Sequence, residues 1–197
     1  DEIANTVQDN YSSIVKPLIS PRKLYFVDGG DVTKDENTKF ENLGYVLDGS
    51  DEHKLARGYK IFEIDTIDNA NQPINLISDL RTSDKKVNDS NKELSENTEW
   101  LKRMEKVSNT YGKGTFILDR GFDGAILMEK IIEMDNNFIV RAKCLTRKVY
   151  VNGVKTTISN LARTHKGFYK FDTNIHGKMT HLKVSSVNIK IQSQDAK

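Results

Sequence analysis

The chain has 197 residues, a formal net charge of +2 at pH 7 and 37% hydrophobic residues. This length and apolar content suffice for a buried core, and no apolar run is long enough to span a bilayer, so no membrane partner is predicted. The one cysteine, Cys144, excludes an internal disulfide and favours a reducing, cytoplasmic location.

The first predicted element is an apolar run that ends in an acid. Residues 24–27 predict a buried strand, and Asp28 follows it just before two glycines. The same design recurs further along the chain, where residues 116–118 are apolar and Asp119 follows them. An acid in this position contributes little to packing, and its carboxylate is well placed to bind a metal ion. Asp28 and Asp119 are therefore candidate metal ligands.

The residues between the two acids predict a hairpin and then a helix. Residues 58–65 and 73–80 have strand composition, and the polar residues 68–72 between them suit a tight turn. Residues 83–108 carry apolar side chains at roughly helical spacing, which predicts one amphipathic crossover helix.

A helical crossover has a consequence for the two acidic strands. Parallel strands need such a crossover, whereas a hairpin joins only antiparallel neighbours. Strands 24–28 and 115–119 are therefore predicted to lie parallel and adjacent. Neighbouring strands are about 4.8 Å apart, so Asp28 and Asp119 would share one divalent ion.

The second acid is followed by a predicted helix over residues 124–135, with Asp123 as its N-cap, and by a strand over 138–141. Three antiparallel strands, a crossover and a strand-helix-strand unit make up the element order of the ribonuclease H-like fold. The predicted fold class is therefore α/β, with a ribonuclease H-like mixed sheet flanked by helices.

The charge is divided unevenly along the chain. Residues 138–191 contain eleven Lys and Arg against the single acid Asp172, while residues 1–137 carry a net charge of −8. The basic region also alternates apolar with polar residues, as antiparallel strands with one solvated face do. We therefore predict an α/β core over residues 1–145 and a basic, β-rich antiparallel region over residues 146–197.

A basic, solvated sheet face attracts phosphates and binds DNA in a salt-dependent way. The competing interpretation is that these residues only keep an exposed sheet soluble, for which charges of mixed sign would serve as well. We favour DNA contact, and the candidate DNA-binding residues are Arg120, Arg141, Lys143, Arg147, Lys148, Lys166 and Lys170.

Short motifs in a fixed order strengthen this interpretation. Over roughly residues 20 to 145 the chain resembles the DDE transposases of bacterial insertion sequences. The resemblance rests on the serial order of several motifs: Asp28-Gly-Gly-Asp31-Val-Thr-Lys34, Lys39-Phe-Glu-Asn-Leu-Gly44, Asp48-Gly-Ser50, Gly58-Tyr59, Asp119-Arg-Gly-Phe-Asp123 and Phe138-Ile-Val-Arg141.

The resemblance implies roles for both acids. In that family the corresponding carboxylates are the first two catalytic residues, so Asp28 and Asp119 would hold Mg²⁺ or Mn²⁺. The third carboxylate, a Glu in a Tyr-x-x-Arg-x-x-x-Glu pattern, does not occur in these 197 residues. We therefore expect a fragment of the catalytic core that is inactive alone.

The resemblance also implies that residues 1–145 are a ribonuclease H-like catalytic core and that residues 146–197 belong to a basic, β-rich insertion. It further implies an activity and partners for the full-length protein. It would cleave and transfer DNA strands at transposon ends, that is, carry out DNA transposition and recombination. Its partners would be double-stranded DNA, both transposon ends and target, and a second copy in a homodimer. It would act in the bacterial cytoplasm, in association with the nucleoid.

Two alternatives remain open from the sequence. The chain is also consistent with a ribonuclease H-like nuclease whose third carboxylate is Glu129 or Glu133, on the helix after the second acid. The other alternative is a non-catalytic, DNA-binding remnant of a transposase, which has kept the fold but lost the reaction.

Overall fold

The computed structural model describes residues 2–34, 39–47, 54–82 and 96–191. It divides the chain into two compact units. The first comprises Asp1–Phe122 and Leu127–Arg141, and the second Asp123–Ile126 and Ala142–Lys197. The division therefore falls close to residue 145, where the basic insertion was predicted to begin, but it also assigns the short segment at 123–126 to the second unit.

The elements up to residue 140 are three α-helices, a 3₁₀ turn and six strands among the described residues. In chain order they are α1 (Glu2–Val15), β1 (Leu24–Thr33), β2 (Gly44–Leu47), β3 (Leu55–Ile67), β4 (Pro73–Arg81), α2 (Glu96–Tyr111), β5 (Thr115–Leu118), a 3₁₀ turn (Arg120–Phe122), α3 (Ala125–Glu133) and β6 (Asn137–Val140). The strands form one mixed sheet, so the predicted α/β class with helices against a mixed sheet is confirmed.

Strand β1 lies near the middle of this sheet. It pairs antiparallel with β3 on one side and parallel with β5 on the other, and β6 continues the sheet parallel to β5. Both β2 and β4 pair with the far edge of β3, at different positions along it. The predicted hairpin is confirmed, because β3 and β4 are joined by a turn in which Asp68 Oδ1 accepts the N–H groups of Ala70 and Gln72.

The predicted parallel pairing of the acidic strands is also confirmed. Leu24 lies opposite Thr115, and the register continues to the pair of Val27 and Leu118. The prediction that the first strand ends at Asp28 is wrong, since β1 continues to Thr33 and remains paired with β3 over this extension. Local glycines suggested a turn, but the neighbouring strand supplies hydrogen bonds that keep this backbone extended.

Helices cover one face of the sheet. Tyr25 and Val27 of β1 alternate inward and join a buried cluster with residues of α2 and α3: Trp100, Met104, Val107, Leu127 and Ile131. Burial, together with nearby Tyr111, raises the pKa of Tyr25 to about 12. The Tyr25 hydroxyl donates to the Gly112 carbonyl at 2.7 Å, so this phenol is protonated at neutral pH and links β1 to the end of α2.

The helix boundaries differ from the predicted ones. The crossover helix was predicted over residues 83–108, of which residues 83–95 lie outside the described part of the chain. The helix α2 continues to Tyr111, three residues beyond the predicted end, because its apolar face continues through that buried side chain. No element was predicted before residue 24, where the structure has α1.

A buried amide connects the chain segments that lead into β5 and β6. The Asn136 side chain accepts the Gly114 N–H at 2.9 Å and donates to Ser108 Oγ at 2.9 Å and to the Met134 carbonyl at 3.0 Å. Asn136 is 5% exposed, so water does not replace these bonds. It therefore holds the entry of β5 against the end of α2.

We predict that Asn136→Ala lowers the free energy of unfolding by about 2–3 kcal/mol, because it leaves buried donors and acceptors without partners. The exposed neighbour Asn137 is the matched control, and Asn137→Ala should change stability by less than about 0.5 kcal/mol. Urea unfolding followed by circular dichroism measures both. Equal stability of Asn136→Ala and the parent would show that the amide network contributes nothing.

The second unit is mostly antiparallel sheet. Its elements are β7 (Lys148–Val151), β8 (Val154–Thr157), α4 (Ile158–Thr164), β9 (Tyr169–Ile175), β10 (Lys178–Val184) and β11 (Lys190–Ile191). Strand β7 lies between β11 and β8, and β9 forms a separate hairpin with β10. The helix α4 was not predicted. Its sequence signal is Thr157, whose hydroxyl caps the helix by accepting the Asn160 N–H.

Candidate functional site

The two predicted metal ligands lie at matching positions on neighbouring parallel strands. Asp28 and Asp119 each follow directly after the last residues of the β1–β5 register, Val27 and Leu118. Adjacent strands are about 4.8 Å apart, so the two residues lie side by side along the sheet. Both are exposed.

The face on which Asp28 lies follows from its neighbour. Gly29 faces α2, because a Cβ at Gly29 would lie 2.9 Å from Cζ2 of Trp100. Successive residues of a strand point to opposite faces, so Asp28 lies on the face opposite α2. Phe26 lies on this same face and is 38% exposed. The carboxylate therefore lies on a sheet face that is open to solvent.

Backbone N–H groups hold both carboxylates. Oδ1 of Asp28 accepts the Gly29 N–H at 2.9 Å, and Oδ1 of Asp119 accepts the N–H of Gly121. A Cβ at Gly121 would lie 2.8 Å from Oδ1 of Asp119, so glycine is needed there for this close approach. Among the described residues these are the hydrogen bonds of the two carboxylates, and each involves a single oxygen.

A third acid lies beside Asp28 on the neighbouring strand β3. Glu63 of β3 is its register partner, and Ser78 Oγ lies 3.4 Å from Oε1 of Glu63. Like charges at directly opposed positions destabilise a sheet. The described residues nevertheless contain no group of three or more His, Cys, Asp or Glu side chains arranged to hold a metal ion. The site thus consists of two neighbouring carboxylates, Asp28 and Asp119.

Two charged residues lie near Asp31 towards the end of β1: Lys60 of β3 and Glu96 at the start of α2. Lys60 Nζ lies 2.6 Å from Oε2 of Glu96 and is the register partner of Asp31. Burial raises the pKa of Asp31, and Glu96 raises it further, although Lys60 acts in the opposite direction. Asp31 therefore differs from Asp28 in belonging to the charge cluster at the helix.

The carboxylates proposed for the nuclease alternative lie on α3. Oε2 of Glu133 pairs with Lys130 at 2.6 Å within the helix, and Glu129 lies one turn earlier. The buried side chains of α3, Leu127 and Ile131, pack in the cluster on the helix-covered face. Asp28 lies on the opposite face of the sheet. This placement favours Glu129 and Glu133 as charged groups on the surface of α3 over a role as metal ligands beside Asp28.

Asp123 has a different role from the predicted helix cap. Its side chain is 1% exposed, and Oδ1 lies 2.5 Å from Nη1 of Arg147. Oδ2 accepts the N–H groups of Lys143 and Cys144 at 2.6 and 2.9 Å. The helix α3 begins two residues later, so the N-cap prediction for Asp123 is wrong. The carboxylate is therefore held by the Arg147 guanidinium and by two backbone N–H groups instead of by the first turn of α3.

This environment shifts the titration of Asp123. Burial raises the pKa of its carboxyl, but the backbone N–H groups of Cys144 and Lys143 and the guanidinium of Arg147 outweigh that effect. The net result is a pKa below the ordinary value, so the ion pair is fully formed at neutral pH.

The predicted DNA-binding residues differ in their accessibility. Six of them are exposed, namely Arg120, Arg141, Lys143, Lys148, Lys166 and Lys170. Arg147 is different, since its side chain is 15% exposed and its Nη2 also donates to the Asp123 carbonyl at 2.7 Å. DNA contact by these residues stays a prediction, and the geometry gives Arg147 a structural partner within its own unit.

A cleft of about 350 Å³ lies at the opposite end of the parallel strands of the first unit. It is lined by residues that precede β1, β5 and β6, among them Arg22, Lys23, Lys113 and Asp135. The amino ends of the parallel strands meet there, whereas Asp28 and Asp119 lie at the carboxyl side of the same pairing. The cleft and the carboxylates are therefore separate features.

No helix among the described residues is both long enough and apolar enough to cross a membrane. In the comparisons with known proteins, no protein-family model matches the chain. The search of curated proteins likewise gives no significant match. The functional conclusion therefore depends on the geometry of the site.

Proposed function

We propose that this chain carries the first two catalytic carboxylates of a DNA transposase with a ribonuclease H-like core. The observation that carries the proposal is the β1–β5 register, which brings Asp28 and Asp119 to neighbouring positions. The two acids are 91 positions apart in sequence, and a helical crossover intervenes. Turn formation alone gives no reason for two acids to meet in this way.

The strand order supports the ribonuclease H-like part of the proposal. Strands β1 to β4, which pair antiparallel with one another through β3, precede the crossover, and β5 and β6 then extend the sheet in parallel from β1. In open sheets, ligands bind beyond the carboxyl ends of parallel strands. Asp28 and Asp119 lie on that side of the parallel pair.

The donor set fits Mg²⁺ or Mn²⁺. These ions prefer carboxylate and water oxygens, and the two exposed carboxylates of Asp28 and Asp119 each use one oxygen for a backbone N–H. A bound divalent ion supplies activation of the attacking oxygen and stabilisation of the leaving oxygen in phosphodiester chemistry. The chain itself orients the two carboxylates through Gly29 and Gly121.

The proposal also requires a surface that binds DNA, and the basic second unit is the candidate for it. Its exposed lysines, Lys148, Lys166 and Lys170, provide positive charge that attracts DNA phosphates. We propose transposon ends and target DNA as the substrates, a second copy of the protein as the partner, and the bacterial cytoplasm as the place of action.

The proposal predicts metal binding that depends on both acids. We expect Mn²⁺ to bind weakly to the chain, because two carboxylates leave most coordination positions to water. Asp28→Asn and Asp119→Asn should each lower the affinity by about tenfold, which corresponds to about 1.4 kcal/mol. Electron paramagnetic resonance of free Mn²⁺ measures the affinity.

The matched control is Asp135, an exposed acid that lines the cleft at the amino ends of the parallel strands. Its backbone has a φ of 57°, which Asn tolerates, so Asp135→Asn changes charge without strain. This variant should bind Mn²⁺ as the parent does. Equal affinity of the parent, Asp28→Asn and Asp119→Asn would show that the ion binds elsewhere and would overturn the proposal.

A cleavage assay separates the proposal from the nuclease alternative. We expect residues 1–197 alone to leave DNA intact in Mg²⁺ or Mn²⁺. Metal-dependent cleavage that Glu129→Gln or Glu133→Gln abolishes would favour the nuclease.

A further inference from the structure

Both carboxylate segments lie near the same tryptophan. Trp100 is on the second turn of α2, is 3% exposed and is the single tryptophan of the chain. On one side its Cζ2 atom lies 2.9 Å from the position that a Cβ of Gly29 would occupy. The indole therefore packs directly on the backbone next to Asp28, with no room for a side chain in between.

On the other side, Trp100 contacts the segment that holds Asp119. The Phe122 ring meets the indole edge-on, with a centroid distance of 5.2 Å. The Phe122 N–H donates to the Asp119 carbonyl at 3.2 Å, and the preceding residue, Gly121, donates to the Asp119 carboxylate. A displacement of Phe122 would therefore displace the backbone that orients Asp119.

The indole is itself held in place. Phe62, the register partner of Gly29, packs against it with a centroid distance of 4.6 Å. The Arg103 guanidinium lies 4.2 Å from the Phe62 ring centre, and its Nε lies 3.0 Å from Asp79 Oδ2 on β4. This first part of α2 is thus fastened to the sheet, so Trp100 has little freedom to move.

Glu99 strengthens this attachment. Its Oε2 lies 3.0 Å from Nη1 of Arg103 and 3.8 Å from Nη1 of Arg81 on β4. Burial raises the pKa of Glu99, but hydrogen bonds from Arg103 and Lys102 outweigh this, and the pKa lies below its ordinary value. The network is therefore charged at neutral pH, next to the residue that carries the indole.

We infer that Trp100 is a positioning residue that sets the relative placement of Asp28 and Asp119. The inference rests on the proposed function, since it gives Trp100 a role in that metal site. The indole connects two segments that are distant in sequence, through Gly29 on one side and Phe122 on the other. A change at either contact is transmitted to the opposite carboxylate.

Two adjacent glycines give a matched pair of variants. A Cβ at Gly29 would press on the indole, whereas a Cβ at Gly30 meets no atom within 4 Å. Gly29→Ala should lower Mn²⁺ affinity by about tenfold, as loss of a group that orients metal ligands does. Gly30→Ala should bind Mn²⁺ as the parent does.

A second measurement needs no metal. In Gly29→Ala the amide resonance of Gly121 should shift in the nuclear magnetic resonance spectrum, because the displaced indole moves Phe122. In Gly30→Ala this resonance should stay in place. Trp100→Leu should also lower Mn²⁺ affinity, whereas Val107→Ala should not. Val107 is equally buried but lies seven residues, about 10 Å, further along α2.

The outcomes distinguish a failure of the positioning role of Trp100 from a failure of the proposed function. If Asp28→Asn weakens Mn²⁺ binding but Gly29→Ala changes neither the affinity nor the Gly121 resonance, Trp100 does not position the site and the inference is overturned. If both Asn variants bind Mn²⁺ like the parent, the proposed function fails, and the Gly121 resonance alone then decides whether Trp100 couples the segments. Because Gly29→Ala keeps the indole, the test stands even where Trp100→Leu does not fold.

Discussion

Arg147→Met should lower the free energy of unfolding of the second unit by about 3–5 kcal/mol, because it leaves the Asp123 carboxylate buried without its cation. Asp123 has only 1% of its side chain exposed, so water cannot take the place of the guanidinium. Native-state hydrogen exchange of the β7 amides reports this unit separately, and urea unfolding reports the whole chain.

The double variant provides the control. Asp123→Asn together with Arg147→Met removes both charges, so it should recover part of the stability that the single Arg147→Met loses. An additive effect of the two substitutions would show that the ion pair contributes no coupling energy. Arg163→Met is the matched surface variant, since Arg163 is exposed on α4, and it should change stability by less than about 0.5 kcal/mol.

The pH dependence has a definite sign. The pKa of Asp123 is lower in the folded chain than its unfolded value of about 3.9. A carboxyl with a lowered folded pKa stabilises the fold fully above the unfolded pKa, and this contribution is lost as the pH falls through the folded pKa. The difference in stability between the parent and Asp123→Asn should therefore shrink below about pH 4.

The second large effect is the salt dependence of DNA binding. Each phosphate contact contributes about −0.9 to the slope of log affinity against log salt. Four to six contacts, about half of the eleven basic residues at 138–191, give a slope of about −4 to −5. Affinity for duplex DNA should then fall between about 250-fold and 1,000-fold from 50 to 200 mM salt.

Three exposed lysines test this expectation without disturbing the fold. Replacing Lys148, Lys166 and Lys170 by Ala should reduce the magnitude of the slope by about 0.9 for each lost contact and weaken binding to all sequences alike. Arg147 is left in place, because it pairs with Asp123.

The matched control replaces three exposed lysines of the first unit, Lys16, Lys106 and Lys113, by Ala. This triple variant has the same net charge, so any difference between the two reports where DNA binds. Fluorescence anisotropy over a salt series measures the slopes. Unchanged affinity of the second-unit variant at every salt concentration would mean that its basic sheet is only a solvated surface.

Much of the first unit could be predicted from local sequence patterns. Strand-like composition on either side of a polar turn predicted β3 and β4, helical spacing predicted α2, and the need for a crossover predicted the parallel pairing of β1 with β5. The same reasoning indicated that Asp28 and Asp119 would lie side by side. The predictions of strands, helix and pairing succeeded because periodicity reflects burial, and burial decides which strands and helices must pack together.

Other features depended on partners that are distant in sequence. The glycines after Asp28 suggested a turn, but pairing with β3 keeps β1 extended to Thr33. Asp123 has the position of a helix cap, yet Arg147, 24 residues later, takes its carboxylate. Local pattern cannot anticipate such competition, because the arginine and the backbone N–H groups that hold this acid come from residues about 20 positions later in the chain.

The sequence by itself thus determined the class of the fold and several of its strands and helices, and it nominated Asp28 and Asp119 as candidate ligands, since each of these depends on residue type and spacing. Only the tertiary structure decided which residues hold those ligands in place. The contact of Trp100 with Gly29 and Phe122 joins three segments, and no periodicity within any one of them reports it. Close packing selects these contacts, because the indole lies so near the backbone at Gly29 that a Cβ there would be 2.9 Å from its Cζ2 atom.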